Sequence, residues 1–202
     1  MTSSNPLLTG APLPAFSTIE PDHVQPAVDA VLADYRAAID AIVGDSRAPT
    51  FAGVMQAQEA LDNRLERVWS PVSHLHAVAD SEALRAAYAE ALEKITEHST
   101  ELGQNRGLYR AVRSVAEDAG FAQLPRPART LVEHALRDFR LSGVALEEPA
   151  RSRFRDIANA LARLSNEFEN AILDATEAWS EAIADESRLA GLGETDRALL
   201  RE

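Results

Sequence analysis

Residues 147–179 read EEPARSRFRDIANALARLSNEFENAILDATEAW, and this stretch decides the fold class. Its apolar side chains recur at alternating steps of three and four, at Phe154, Ile157, Leu161, Leu164, Phe168, Ala171, Ala175 and Trp179. Residues at that spacing lie on one face of an α-helix. Neither Gly nor Pro occurs after Pro149 within the stretch. We therefore predict one helix of roughly 45–50 Å, whose apolar face needs packing partners.

The composition of the chain favours a helical bundle. The protein has 202 residues, of which 46% are hydrophobic and only 5% aromatic. A core of Ala, Leu and Val is typical of packed helices rather than of sheets. The chain contains no cysteine, which excludes disulfides, thiolate catalysis and cysteine-ligated metal sites.

Charge and targeting signals narrow the classes of partner. The net charge of −12 repels phosphate backbones, so we expect no nucleic-acid partner. The N-terminus has no basic segment followed by an apolar run, and no stretch approaches the ~18 apolar residues of a membrane span. We predict a soluble cytoplasmic protein without a membrane partner.

The first 21 residues are predicted to form an extended, proline-rich arm. Prolines in this segment disfavour a regular helix, whereas its apolar residues favour burial. The prolines are Pro6, Pro12, Pro14 and Pro21, and the apolar residues are Leu7, Leu8, Leu13, Phe16 and Ile19. An arm that lies over the helices satisfies both requirements.

A helical domain is predicted over residues 22–179. Asp22 is the expected N-cap of its first helix, with Gln25 as capping-box partner and Gly44 at the end. Thr50 is the expected N-cap of the second helix. Pro71 should break or kink that helix, because its ring collides with a carbonyl one turn earlier.

Three further helices are predicted before the long one. Ser81 caps the first, which carries Leu84, Tyr88, Leu92, Ile95 and Leu102 and ends at Gly103. The next carries Leu108, Val112, Val115 and Ala119 and ends at Gly120. Pro125 and Pro127 begin the last, which buries Leu131, Ala135, Leu136 and Phe139 and ends before Gly143.

Residues 180–202 are predicted to begin a further region. We expect a short strand over residues 179–185 and a turn of helix over residues 186–192. A new amphipathic helix begins near Thr195, only a few residues before the sequence stops. Natural domains seldom end in the opening turns of an element, so we expect a truncated chain.

A search for metal ligands finds none in a usable pattern. The five histidines are His23, His74, His76, His98 and His134, and no two have the His-Glu-x-x-His spacing of a zinc peptidase. A di-iron bundle needs Glu-x-x-His on two helices. Glu20 and His23 give the only match, and Pro21 between them argues against a helix there.

The other histidines have simple structural interpretations. His74 and His76, two residues apart, should point away from each other, one half-buried and one at the surface. His98 is expected at the edge of the core with one hydrogen bond, and His134 on a solvated helix face. Nucleophile motifs, phosphate loops and dinucleotide fingerprints are absent. We predict no catalytic, metal or cofactor-binding residue in this chain.

Four segments, in order along the chain, resemble one peptidase family. They are Asn5–Leu8 with Leu13–Ala27, Trp69–Leu75, Ala135–Gly143 and Leu164–Thr176. The proline and tryptophan positions in them make this resemblance more specific than a single short motif. The family is that of the thimet-oligopeptidase-like zinc metallopeptidases, and the resemblance extends over essentially the whole chain.

The resemblance implies an all-helical N-terminal domain of a much longer enzyme that degrades short peptides. In that family this part forms one wall of a deep substrate channel, and the zinc-binding His-Glu-x-x-His lies several hundred residues further on. No catalytic residue can therefore be assigned here, and the residues that touch substrate stay unidentified. The 202-residue chain alone is expected to bind no zinc and to have no peptidase activity.

An alternative is a stand-alone helical interaction module without a catalytic half. Coding DNA downstream of codon 202 discriminates between the two hypotheses, because an in-frame His-Glu-x-x-His favours the peptidase. If the chain is truncated, apolar surface should be exposed along the long helix.

Overall fold

The computed structural model describes residues 5–200, so the predicted start of the arm at residues 1–4 lies outside the described part. Its order of elements confirms the all-α class, with no strand among the described residues. The α-helices are α1 Val24–Gly44, α2 Ala57–Val78, α3 Glu82–Gly103, α4 Arg106–Glu117, α5 Arg126–Leu141, α6 Ala150–Glu177 and α7 Glu194–Leu199. Within residues 5–200, no helix is both long and apolar enough to cross a membrane.

The chain divides into two compact units, and the boundary lies within α6, between Leu164 and Ser165. The first unit contains α1 to α5 and the first half of α6. The second contains the rest of α6 and α7.

Two apolar clusters form the core of the first unit, and α1 contributes to both. One joins α1 to α4 and α5, with buried residues Tyr35, Ile39, Val54, Met55, Leu108, Ala111, Val112, Val115, Val132, Phe139 and Val144. The other joins α1 to α2 and α3, with buried residues Leu7, Val24, Ala27, Val28, Val31, Leu32, Val68, Val72, Tyr88 and Ala91. Because its buried residues serve both clusters, α1 is the central helix of the unit.

The start of α1 differs from the prediction. Pro21–His23 forms a 3₁₀ turn, in which the Glu20 backbone N–H donates to His23 Nδ1 at 3.0 Å. The capping box of Asp22 and Gln25 is therefore wrong. Gln25 instead donates to the Ala87 carbonyl at 2.9 Å, a contact with α3 that no local sequence pattern could indicate.

The arm contains short 3₁₀ turns rather than a fully extended chain. They are Pro6–Leu8 and Phe16–Thr18, ahead of the turn at Pro21–His23. Asn5 fixes the described start of the arm by donating to the His23 carbonyl at 2.7 Å, and Leu7 is buried against α1 and α2.

Pro71 does not break α2, which continues from Ala57 to Val78. Of the predicted break or kink, the break is wrong, because Pro71 is buried in the core, where packing offsets the loss of one helical hydrogen bond. The kink stays a prediction. An irregularity lies ahead of α2, in a π-helical turn at Ala52–Gln56. Thr50 precedes it, and its Oγ1 accepts from the Gly53 N–H at 3.0 Å, as expected of a cap.

Helix α5 begins and ends as predicted, but one core position is wrong. Its N-cap is Pro125, and Gly143 follows its end with φ +82°. Val132 is fully buried, whereas the predicted core residue Leu131 is 43% exposed. A step of one residue turns a helix by about 100°, so the buried face is centred on Val132 and Phe139.

In the second unit, residues 179–185 form no strand, so that prediction is wrong. Asp185 caps the 3₁₀ turn Glu186–Leu189, and its Oδ1 accepts from the Ser187 N–H at 3.0 Å. That turn and the start of α7 at Glu194 agree with the predicted helical turn and the predicted last helix.

Candidate functional site

The histidines do not assemble into a site. His76 is buried and stacks on Tyr88 with ring centroids 4.0 Å apart, whereas His74 is exposed and lies 5.2 Å from the Phe16 ring. The two therefore point apart as predicted, although His76 is more buried than expected. His134 is exposed, as predicted for a solvated helix face.

His98 lies in the core rather than at its edge. The residue is only 3% exposed, and its ring packs edge-on against Tyr35 with centroids 4.6 Å apart. Within residues 5–200 its Nε2 has no hydrogen-bond partner. Burial lowers the pKa of His98 below its usual 6.5, and Arg36 adds to that effect. His98 is therefore neutral at pH 7.

No group of three or more His, Cys, Asp or Glu residues that could hold a metal ion occurs within residues 5–200. The resident zinc of the resembled family has no ligand set among these described side chains.

One groove lies between the arm and α2 in the first unit. It has a volume of about 720 Å³, and its walls include the apolar residues Leu7, Leu8, Leu13, Phe16, Ile19, Val31, Val68 and Pro71. Arg67 on α2 holds the arm in place by donating to the carbonyls of Gly10, at 3.1 Å, and Ala11. Both arginines at this groove are already engaged, because Arg67 binds the arm and Arg64 pairs with Asp34 at 2.6 Å.

A smaller cavity of about 290 Å³ lies between α2, α3 and α5. Asp62 lines it and accepts a hydrogen bond from the Tyr35 hydroxyl at 2.7 Å. Burial raises the pKa of Asp62 above its usual 3.8, although the hydrogen bond from Tyr35 opposes this effect. Burial also raises the pKa of Tyr35, so its hydroxyl keeps its proton and remains a donor.

Arginine side chains connect the corner between α3 and α4 to the start of α6. Arg106 donates to the Leu146 carbonyl at 3.0 Å and to Glu147 Oε1 at 2.5 Å. Arg151 donates to the carbonyl of the buried Gln104 at 3.1 Å. These contacts fix the first turn of α6 on the first unit. Sequence patterns missed them, because polar contacts between distant loops have no periodicity.

The apolar stripe of α6 is exposed rather than buried. In the first unit Ile157, Leu161 and Leu164 are 45%, 60% and 51% exposed. In the second unit Phe168 and Ile172 are 67% and 49% exposed. The prediction of a long helix is confirmed. This exposed face agrees with the expectation of apolar surface along the long helix.

Comparison with known proteins identifies the class. Residues 28–151 match the neurolysin/thimet oligopeptidase N-terminal domain, and the chain therefore belongs to that family. The match extends from α1 into the first turn of α6, and so includes the arginine contacts around Gln104.

More specific similarity is to bacterial oligopeptidase A. The chain is 42% identical over 192 residues to oligopeptidase A of Salmonella typhimurium, and 41% identical over 192 residues to that of Escherichia coli. Each alignment covers 95% of this chain but 28% of the relative. A probable cytosolic oligopeptidase A of Arabidopsis thaliana is 32% identical over 190 residues, which are 94% of this chain and 27% of that relative. The chain thus spans little more than a quarter of the length of these relatives.

Proposed function

We propose that this chain is the N-terminal helical part of a zinc metalloendopeptidase of the oligopeptidase A type that degrades short peptides. The observation that carries the proposal is identity of 41–42% to two bacterial oligopeptidases A along almost the whole chain. Identity at this level supports placing the chain in an enzyme of the same type, of which it matches 28% of the length.

In this proposal the helices of the first unit provide one wall of the substrate channel. A wall of this kind limits the width of the channel, so it needs rigidity rather than reactive groups. The two-cluster core and the arginine contacts at Gln104 supply such rigidity. Size selection of peptides then follows from the width of the channel, without specific contacts from this part.

The zinc site belongs to the remainder of the peptidase. This sequence contains no His-Glu-x-x-His, and that motif supplies two zinc ligands and a carboxylate in zinc peptidases. The partners we propose are therefore short peptides and the catalytic region that completes the enzyme. We propose a cytoplasmic location, supported by the probable cytosolic relative from Arabidopsis thaliana.

Two measurements test this proposal. The coding DNA downstream of codon 202 should encode an in-frame His-Glu-x-x-His, and its absence would favour the interaction module. The purified 202-residue chain should contain no stoichiometric zinc and should not cleave a quenched fluorescent peptide. Zinc with turnover in this chain would contradict the division of roles proposed here.

A further inference from the structure

The cavity of about 290 Å³ between α2, α3 and α5 has both apolar and acidic walls. Its apolar walls are Met55, Leu102, Leu131, Ala135 and Phe139, all within the first unit. Leu131, which is 43% exposed, is therefore an exposed apolar side chain at the cavity. A cavity with this mixture of walls suits a ligand that has an apolar stem and a charged end.

Three carboxylates line the same cavity, and no lysine or arginine is among its described wall residues. Glu59 and Asp62 are three residues apart on α2, which places them on one face of the helix, and Asp138 lies on α5. Asp138 pairs with Arg137 at 2.8 Å. Within residues 5–200, neither Glu59 nor Asp62 forms an ion pair with a basic side chain. Two of the three negative charges are therefore not balanced by a cation of the described chain.

The environment of Asp62 reflects this excess of negative charge. Burial is the main cause of its raised pKa, and the neighbouring Glu59 carboxylate adds to the effect. A like charge raises a carboxyl pKa, whereas a nearby cation would lower it. The Tyr35 hydroxyl occupies Asp62 Oδ1, so Oδ2 remains available to a further donor. The cavity thus offers acceptors and negative charge to a cationic ligand.

We propose that this cavity binds the side chain of an arginine residue in a peptide. In this complex the guanidinium donates to Glu59 and Asp62, and its methylene stem packs on Leu102 and Leu131. A guanidinium has five donors in a planar fork, so it can bridge two carboxylates one helical turn apart. The inference rests on the proposed function, because it names a class of peptide that the enzyme prefers among those that fit its channel.

Two capped peptides and the 202-residue chain test the proposal. One peptide is acetyl-Ala-Leu-Arg-Leu-Ala-amide, and the other carries citrulline, the neutral isostere of arginine, at the same position. At low salt we expect the arginine peptide to bind about fivefold more tightly, because each exposed ion pair contributes little. Two-dimensional NMR should show amide shifts at Gly103, Leu131 and Ala135. In about 0.5 M NaCl the preference should fall below about twofold, because salt screens exposed charges.

A charge-matched pair of variants locates the site. Glu59→Gln/Asp62→Asn should abolish the preference for the arginine peptide, although the new amide at position 62 can still accept from Tyr35. Glu93→Gln/Glu97→Gln is the control, since it changes the net charge equally at exposed positions of α3 outside the cavity. The NMR spectra also show whether each variant is folded.

Three outcomes would overturn the proposal. They are equal affinity for the two peptides, amide shifts confined to another surface, and a preference that the cavity variant keeps or that both variants lose alike. None of these outcomes bears on the assignment to a peptidase, because the coding DNA downstream of codon 202 tests that assignment separately.

Discussion

The hydroxyl of Tyr35 on α1 donates a hydrogen bond to Asp62 Oδ1 on α2 at 2.7 Å, and the Tyr35 side chain is buried. The aromatic ring of Tyr35 belongs to the larger core cluster and also contacts His98. One residue therefore links three helices, which makes this position sensitive to small changes.

Removal of the Tyr35 hydroxyl should destabilise the fold while leaving its packing intact. We expect Tyr35→Phe to lower the free energy of unfolding by about 1–2 kcal/mol, because Asp62 loses its donor. Urea denaturation measures this change. Tyr109→Phe is the control, since the Tyr109 ring packs edge-on against Phe139 at 5.8 Å. Equal effects of the two variants would show that the Tyr35–Asp62 bond does not stabilise the fold.

The close approach of the end of α3 to Ser142, the C-cap residue of α5, depends on Gly103. A Cβ there would lie 2.6 Å from the Ser142 Cβ, which is fixed to its own backbone. We expect Gly103→Ala to cost about 1–3 kcal/mol in thermal or urea unfolding, despite the better helix propensity of Ala.

The added Ser142→Gly substitution should recover part of that loss, because it removes the clashing atoms. Gly44→Ala is the control, since nothing lies within 4 Å of a Cβ at Gly44. A stable Gly103→Ala variant would mean that the two helices separate without cost.

Protonation of His98 should make the stability of the protein depend on pH. Because the folded-state pKa of His98 lies below its usual 6.5, the unfolded chain binds more protons than the folded protein as the pH falls through this value. The free energy of unfolding is therefore not reduced by His98 above about pH 6.5. Below this pH it declines, by up to about 1.4 kcal/mol per pH unit.

The His98→Gln variant should lose the part of the pH dependence of stability that His98 causes. His74→Gln, at an exposed position, should keep it. Urea midpoints between about pH 7.5 and 5.5 measure the difference, in a range where most carboxylates stay ionised. A slope unchanged in His98→Gln would assign the pH dependence to other groups.

Loss of Arg106 should release the loop before α6. Its guanidinium donates to the carbonyls of Val144 and Leu146, so its removal leaves both without this donor. We expect Arg106→Ala to increase hydrogen exchange in residues 144–152 and to lower stability by about 1–3 kcal/mol.

Arg106→Lys should restore little, because a single ammonium cannot reproduce the fork of donors. The control is Arg137→Ala, which removes an exposed pair with the adjacent Asp138. Unchanged exchange around residue 146 in Arg106→Ala would show that other contacts hold the loop.

Local sequence patterns predicted where the helices of this fold begin and end better than which residues and helices they pack against. The helix ends at Gly44 and Gly103, the Ser81 cap and the end of α5 before Gly143 could all be predicted, because each depends on neighbouring residues. The burial of Pro71 within α2 depends instead on packing by other helices, which periodicity does not report.

The role of α6 shows the same limit more clearly. Its period predicted a helix with one apolar face, and the structure confirms the helix. A period cannot tell whether that face is covered by the same chain, by a second copy or by another region. The Gln104 contacts were also inaccessible, since Arg151 lies 47 residues from its partner along the chain.

A chimeric enzyme tests the central proposal most directly. This chain should replace the matching N-terminal part of Escherichia coli oligopeptidase A, to which it is 41% identical. We expect the chimera to cleave a quenched fluorescent peptide within about tenfold of the parent rate, since the replaced part supplies no reacting group. The parent without this part should be inactive. A folded chimera that binds zinc but cleaves no peptide would contradict the account.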